Sequence, residues 1–368
     1  MVVGRLAKRV DDLGLAAMGK RRGRGLTIAD VAKTAGVSLG TVSNVLNGTR
    51  FVSEDRRDRV MKAIEQLGYK PNVLAQSLRR GTNSIVGICI PHVANTYFMQ
   101  LVDVFEKLSV ADGWDTIHVY ARRDADHLRE KVDWLIKFKI NGLLMLPSID
   151  AHATFDVVAK SGIPAVIIDR PIDDPRFDQV VTDAAGAMEE IVTGLAARGH
   201  RSLLFVTASK NYLVTRLRMG GLKKALGELP EMSAKVIEIE PTEEGLIRQL
   251  ASEFVSSRPP TAVIVGSGQI AARTFRALRR LDTLIETWPA LVSFDQPEWA
   301  DLSSPPISVV RHPVEAIAAK AWQLLIDRMQ GFDGPPRNVL LSGEVELSAA
   351  PFASQVRPLG ERRSDPET

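Results

Sequence analysis

The run from Val31 to Asn47, VAKTAGVSLGTVSNVLN, places Ser38, Thr41, Ser43, Asn44 and Asn47 in one short window after Gly36. Hydroxyls and carboxamides of this reach can donate to phosphate oxygens or read a base edge. Asn is shaped to take adenine through two hydrogen bonds, worth roughly 1–3 kcal/mol against a wrong base. At the N-terminal end of a helix they would also share the partial positive charge that attracts an anion. The same residues would serve a plain helix as a cap (Ser38) and a polar surface (Asn44). Catalytic chemistry is harder to compose. The six histidines, at 92, 118, 127, 152, 200 and 312, lack metal-ligand spacing, and the single cysteine, Cys89, lies in an apolar segment. No acid/base pair emerges from the carboxylates, so no enzyme, metal or cofactor is expected.

Three short helices must position that window. Thr27 to Asp30 is a capping-box-like start, and Ile28, Val31, Ala32 and Ala35 recur at helical spacing before Gly36. Ser38 can cap a second helix with Val42, Val45 and Leu46 inside. Ser53 opens a third, with Glu54 and Asp55 in its first turn and a stripe of Val60, Ala63, Ile64 and Leu67 ending at Gly68. This is a helix-turn-helix unit. Pro71 can start a further short segment whose apolar side is Val73, Leu74, Ala75 and Leu78, too short to be a stable helix alone.

From Ser84 onward, apolar runs alternate with amphipathic stretches. The runs are 85–90, 116–120, 142–146, 165–168, 202–206, 236–239, 261–265 and 291–294. Helices are expected at 98–111, 128–138, 185–198, 218–226 and 270–281. That rhythm predicts parallel sheets covered on both faces, in more strands than one sheet holds, hence two α/β lobes with ligands at strand C-terminal ends or between lobes. The expected organisation is a basic extension over 1–25, headpiece 26–70, hinge 71–82, a two-lobed body 83–354 and a tail 355–368. The first lobe takes 83–182 plus 311–340, the second 183–310 plus 341–354.

The net charge of +3 over 368 residues conceals an asymmetry. Residues 1–80 hold 16 Lys/Arg against 7 Asp/Glu, a net +9, leaving 31 against 37, a net −6, for the remainder. A basic end on an acidic body suits a polyanion partner. No apolar run of membrane-spanning length exists and nothing resembles a secretory signal, so a cytoplasmic protein associated with the nucleoid is expected. Met18 offers an alternative natural start. Gly14 to Lys20 has phosphate-loop spacing, but Arg21 stands where the hydroxyl belongs.

The pattern from Asp30 to Asn47 closely resembles the headpiece of the lactose/galactose repressor (LacI/GalR) family, and Gly68 to Asn72 (GYKPN) with Ala75 and Leu78 resembles its hinge. The looser resemblance of the body extends to about residue 350. It implies a periplasmic-binding-protein-like fold and a homodimer or higher oligomer on a palindromic, double-stranded operator. Leu39, Gly40 and Asn44 would read bases, supported by Thr27, Ser38, Thr41, Ser43 and Asn47. Val73, Leu74, Ala75 and Leu78 would enter the minor groove, Leu78 wedging between base pairs.

The resemblance also implies a sugar-like effector held by Asn95, Tyr97, Phe98, Asp169, Arg170, Arg218 and Asp295. Phe98 either stacks on a ring or fills the core. Arg218 offers a planar fork for carboxylate or vicinal hydroxyls, and Asp295 is expected to accept two hydroxyl hydrogen bonds. Two departures stand out. Thr96 replaces a common Pro, and Gly268 stands where many relatives carry an acid.

Overall fold

The computed structural model describes residues 26–47, 52–69, 84–121, 124–147, 151–281, 283–285 and 287–348. Two compact units divide the chain between residues 82 and 83.

In the first unit lie α1 (Ile28–Ala35), α2 (Leu39–Asn47) and α3 (Glu54–Leu67). The Asp30 carboxylate accepts the Thr27 backbone N–H at 2.8 Å and the Thr27 hydroxyl at 2.7 Å, fixing the start of α1. Gly36 adopts φ +63°, and the Val37 N–H turns back to the Ala32 carbonyl at 3.1 Å. That left-handed residue lets the chain reverse into α2 within two positions. Val31, Ala32, Ala35, Val42, Val60 and Ala63 form the core, with Val45, Leu46, Ile64 and Leu67 packed against it. Ser53 precedes α3 but makes no side-chain cap, a correction to the sequence reading. The proposed hinge residues Val73, Leu74, Ala75 and Leu78 lie outside the described residues, as do the expected basic extension and tail.

The second unit holds two six-stranded sheets. The first comprises β1 (Ile85–Ile90), β2 (Asp115–Tyr120), β3 (Gly142–Met145), β4 (Ala165–Asp169), β5 (Asp178–Thr182) and β11 (Asn338–Leu341), ordered β11-β5-β4-β3-β1-β2 and parallel throughout. The second comprises β6 (Ser202–Thr207), β7 (Ser233–Glu238), β8 (Ala262–Val265), β9 (Ala290–Ser293), β10 (Ser308–Arg311) and β12 (Glu344–Glu346), ordered β12-β10-β9-β8-β6-β7, with only β12 antiparallel. Helices α4 (Thr96–Ala111), α5 (Ala125–Lys137), α6 (His152–Ser161) and α11 (Val314–Met329) accompany the first sheet. Helices α7 (Ala184–Ala197), α8 (Leu213–Glu228), α9 (Glu243–Phe254) and α10 (Gly268–Arg280) accompany the second. Each lobe buries two apolar layers, one per sheet face, which is why the central strands β3 and β8 are apolar without alternation.

The chain passes between the lobes after β5, after β10 and after β11. The hydrophobic rhythm alone misses β5, β10, β11 and β12. β5 opens with Asp178 and Gln179, polar yet buried. Asp178 accepts from Arg328 and Arg337, and Gln179 bonds the Ile172 backbone through both ends of its amide. β11 and β12 are edge strands that expose alternate residues.

Candidate nucleic-acid interface and effector chamber

Helix α2 turns its apolar side inward and its N-terminal end outward. Val42 is fully buried, Val45 and Leu46 pack on the headpiece core, and Ser38, Leu39 and Gly40 are exposed, Leu39 by 51%. Ser38 Oγ accepts the Thr41 N–H at 3.1 Å and lies 2.9 Å from Thr41 Oγ1, so the first turn is capped by its own hydroxyl. Ser43 and Asn44 are half-buried, and Asn47 is the last residue of α2. A Cβ at Gly40 would meet only Ser38 Oγ, at 3.8 Å, so packing does not require glycine there. The result is an open helix end with short polar side chains and one apolar tip, a shape that fits a major groove and a thymine methyl.

In the second unit the structure brings Asn95, Tyr97, Phe98, Asp169, Arg170, Arg218 and Asp295 around one chamber of about 60 Å³ between the lobes. Asn95 spends its amide oxygen capping α4, accepting the Tyr97 N–H at 3.1 Å. Tyr97 then donates its hydroxyl to Asp169 Oδ1 at 2.9 Å. Asp169 closes β4 with φ +70°, a left-handed conformation that Asp tolerates better than most residues. Arg170 Nε lies 3.8 Å from the same carboxylate. Phe98 is both: it belongs to the core of the first lobe and lines the chamber.

Across the chamber, Arg218 of α8 stacks its guanidinium on Phe294 at 3.9 Å and donates from Nη1 to the Gly266 carbonyl at 2.9 Å. Burial pushes its pKa down to about 10, against the opposing pull of Asp295 and Asp169. Asp295 accepts the Gly268 N–H at 2.9 Å and lies 3.4 Å from His312 Nε2, so one of its acceptor sites is already taken by backbone. This revises the expectation that Asp295 offers both its bonds to hydroxyls.

His312 is the residue that sequence reasoning passed over. It follows β10 where the chain returns to the first lobe, and it touches both sides. Its ring packs on Tyr97 at 4.8 Å while Nε2 donates to the Phe294 carbonyl at 2.8 Å. Burial works against its charged form, but the Asp295 carboxylate outweighs it and raises the pKa. Thr207, Thr215, Tyr212 and Ser267 also line the chamber, with Thr207 and Thr215 sharing a buried hydroxyl bond at 3.0 Å. Thr207 and His312 lie at strand C-terminal ends, the place where such folds hold ligands. Recognising β10 would have found His312. An open groove of about 650 Å³ adjoins the chamber through Arg170, Tyr212 and Val214. Among the described residues no cluster of potential metal ligands occurs, and no helix is long and apolar enough to cross a membrane.

Residues 27–72 match the family of bacterial regulatory proteins, lacI family, and residues 192–347 match the periplasmic binding protein-like domain. The chain belongs to the LacI family. Among relatives of this LacI-family protein is the HTH-type transcriptional regulator PtxS of Pseudomonas putida, 28% identical over 317 residues, which span 85% of this chain and 92% of PtxS. Another is the HTH-type transcriptional repressor PurR of Actinobacillus pleuropneumoniae, 26% identical over 306 residues, 83% of this chain and 91% of PurR. A crystal structure of the lac repressor dimer bound to operator and the anti-inducer ONPF superposes with a TM-score of 0.75 at 22% identity. It covers 90% of this chain and all of that one, and speaks for the fold. As a LacI-family member the chain is a transcription regulator rather than an enzyme.

Proposed function

We propose that this LacI-family regulator represses transcription by holding a near-palindromic operator as a homodimer, and that a small polyhydroxylated metabolite in the interlobe chamber sets its affinity. The observation that carries the effector half is the convergence of Tyr97, Asp169, Arg218, Asp295 and His312 from both lobes and one crossing segment on a single chamber. The operator half rests on the exposed, self-capped end of α2. Leu39, Gly40 and Asn44 contact bases, and Thr27, Ser38, Thr41, Ser43 and Asn47 contact the backbone. The segment of Val73, Leu74, Ala75 and Leu78 serves as hinge, with the headpiece ending near residue 70. The protein works in the cytoplasm at the nucleoid.

A chamber of about 60 Å³ is smaller than the roughly 300 Å³ or more of an ordinary ligand pocket, so occupancy requires a wider lobe separation. That requirement links ligand to lobe geometry, with a coupling of about 1–3 kcal/mol expected for such devices. The test is to select bound sequences from random duplex DNA, measure the salt dependence of the best one, and screen metabolites for its release. A palindromic consensus released by a polyol supports the reading. Binding without sequence preference overturns it.

A further inference from the structure

We propose that the effector carries an oxyanion on its polyhydroxylated skeleton, and that this group pairs with Arg218. The inference rests on the chamber being the effector site and names the ligand class.

Arg218 is only 8% exposed, yet it forms no ion pair among the described residues. Its Nη1 is tied to the Gly266 carbonyl and one ring face is covered by Phe294. Nε is buried with no partner. What stays unengaged is therefore the Nε–Nη2 edge, the pair of N–H groups that a carboxylate or phosphate takes with two parallel bonds. A buried cation without a counter-ion is costly, and proteins seldom retain one unless a bound group completes it.

The other charges in the chamber cannot complete it. Asp169 is held by the Tyr97 hydroxyl and lies beside Arg170, and Asp295 is held by the Gly268 N–H and lies beside His312. Each carboxylate therefore has its own cation, and Arg218 is the odd one. Position 268 could have supplied a third acid. A Cβ there would sit 3.5 Å from the Asp295 Cβ and 3.4 Å from that of Pro297, close but not blocked. With glycine at 268, three cationic side chains face two carboxylates in the chamber whenever His312 is protonated. A neutral sugar would leave that excess in place. A sugar acid or a sugar phosphate would remove it, its hydroxyls facing the remaining acceptor positions of Asp169 and Asp295.

The test is calorimetric titration of the full-length protein with matched probes: glucose and galactose, their uronates and aldonates, and their 6-phosphates. At least one anionic probe is expected to bind ten-fold or more tightly than its neutral parent. Arg218→Gln should erase that margin while leaving the neutral parent's affinity within about two-fold, a few tenths of a kcal/mol. Arg218→Lys should retain part of the margin, and Gly268→Asp should narrow it with Arg218 untouched. Carboxylate and phosphate probes report which oxyanion is preferred. A neutral hexose that binds as tightly as its acid and releases operator overturns this inference and leaves the effector chamber standing. A margin that survives Arg218→Gln also overturns it. If no probe binds while operator is held, the hexose-derived oxyanion is excluded. If a wider metabolite screen then releases nothing either, the effector reading fails with it.

Discussion

Gly221 of α8 lies against the Ala185 carbonyl of α7, so close that a Cβ at position 221 would stand 2.3 Å from that oxygen. The obstacle is backbone and cannot rotate away, so the helix pair must part to admit even a methyl group. Gly221→Ala is expected to destabilise the protein by roughly 1–3 kcal/mol. Because Arg218 sits one turn earlier on α8, effector affinity should fall as well. Gly220, one residue away, is exposed and has nothing within 4 Å of a built Cβ. There Gly220→Ala should be neutral or stabilising by up to about 1 kcal/mol, from helix propensity alone. Thermal melts of the two variants side by side check the contrast, and equal melting points would refute it.

Asp178 at the start of β5 ties three pieces of the first lobe together. Its side chain has no solvent exposure, and it accepts from Arg328 Nε and Nη2 at 3.0 and 2.9 Å and from Arg337 N and Nη2 at 2.7 and 3.0 Å. Phe332 lies under both guanidinium groups, 4.9 Å from Arg328 and 4.4 Å from Arg337. Burial alone would raise the Asp178 pKa, but the two arginines hold it below its ordinary 3.8. Removing the carboxylate strands two partly buried cations, and Asp178→Ala should cost about 3–5 kcal/mol in urea denaturation. Since the folded value is depressed, this contribution is present above pH 3.8 and is lost as pH falls through the folded value. A cost under about 1 kcal/mol at neutral pH, the scale of a surface pair, would show that the network adds nothing beyond one.

The fold was legible wherever burial and hydrophobicity coincide. The central strands and the amphipathic helices announce themselves, and the Gly36 and Gly68 stops are visible because a left-handed turn favours glycine. It was illegible where tertiary partners override composition, as in β5, whose first two residues are polar and buried only because Arg328, Arg337 and the Ile172 backbone receive them. The chamber was legible through the residues that carry the family resemblance. It was not legible at His312, because a lone histidine after an unrecognised strand carries no local signal. Nor could spacing reveal that Gly268 gives its N–H to Asp295, a contact across 27 residues.

At the other end of the chain, the exposed tip of α2 makes separable predictions about DNA. Asn44→Ala should relax the base preference at one operator position, costing about 1–3 kcal/mol on the preferred base and little on others. The slope of log affinity against log salt should stay unchanged, since no phosphate contact is lost. Gly40→Ala meets no obstacle and should strengthen α2 by up to about 1 kcal/mol. Competitive binding to operator variants over a salt series reads both. A changed salt slope in Asn44→Ala would move that residue from base to backbone.

His312 makes the lobe contact titratable. Its Nε2 faces the Phe294 carbonyl at 2.8 Å and Asp295 at 3.4 Å, its ring faces Tyr97, and Asp169 and Arg218 act at longer range. Burial alone would lower its pKa, but Asp295 lifts the folded value above 6.5. A raised folded value means a stabilisation fully present below 6.5 and lost as pH climbs through the folded value. Asp295 behaves oppositely. Burial would raise its pKa, yet His312 and the Gly268 N–H hold it below 3.8, so its contribution persists down to that range. Tyr97 is pushed well above its ordinary 10 by burial and by Asp169, and Arg218 titrates only near 10, so neither interferes in between. His312→Gln should therefore lower the melting temperature clearly at about pH 6 and progressively less toward about pH 9, the interval in which an imidazole held by a carboxylate discharges. A penalty that stays flat across that interval would mean that the buried imidazole is neutral throughout and that only its shape holds Tyr97 and Phe294 in place.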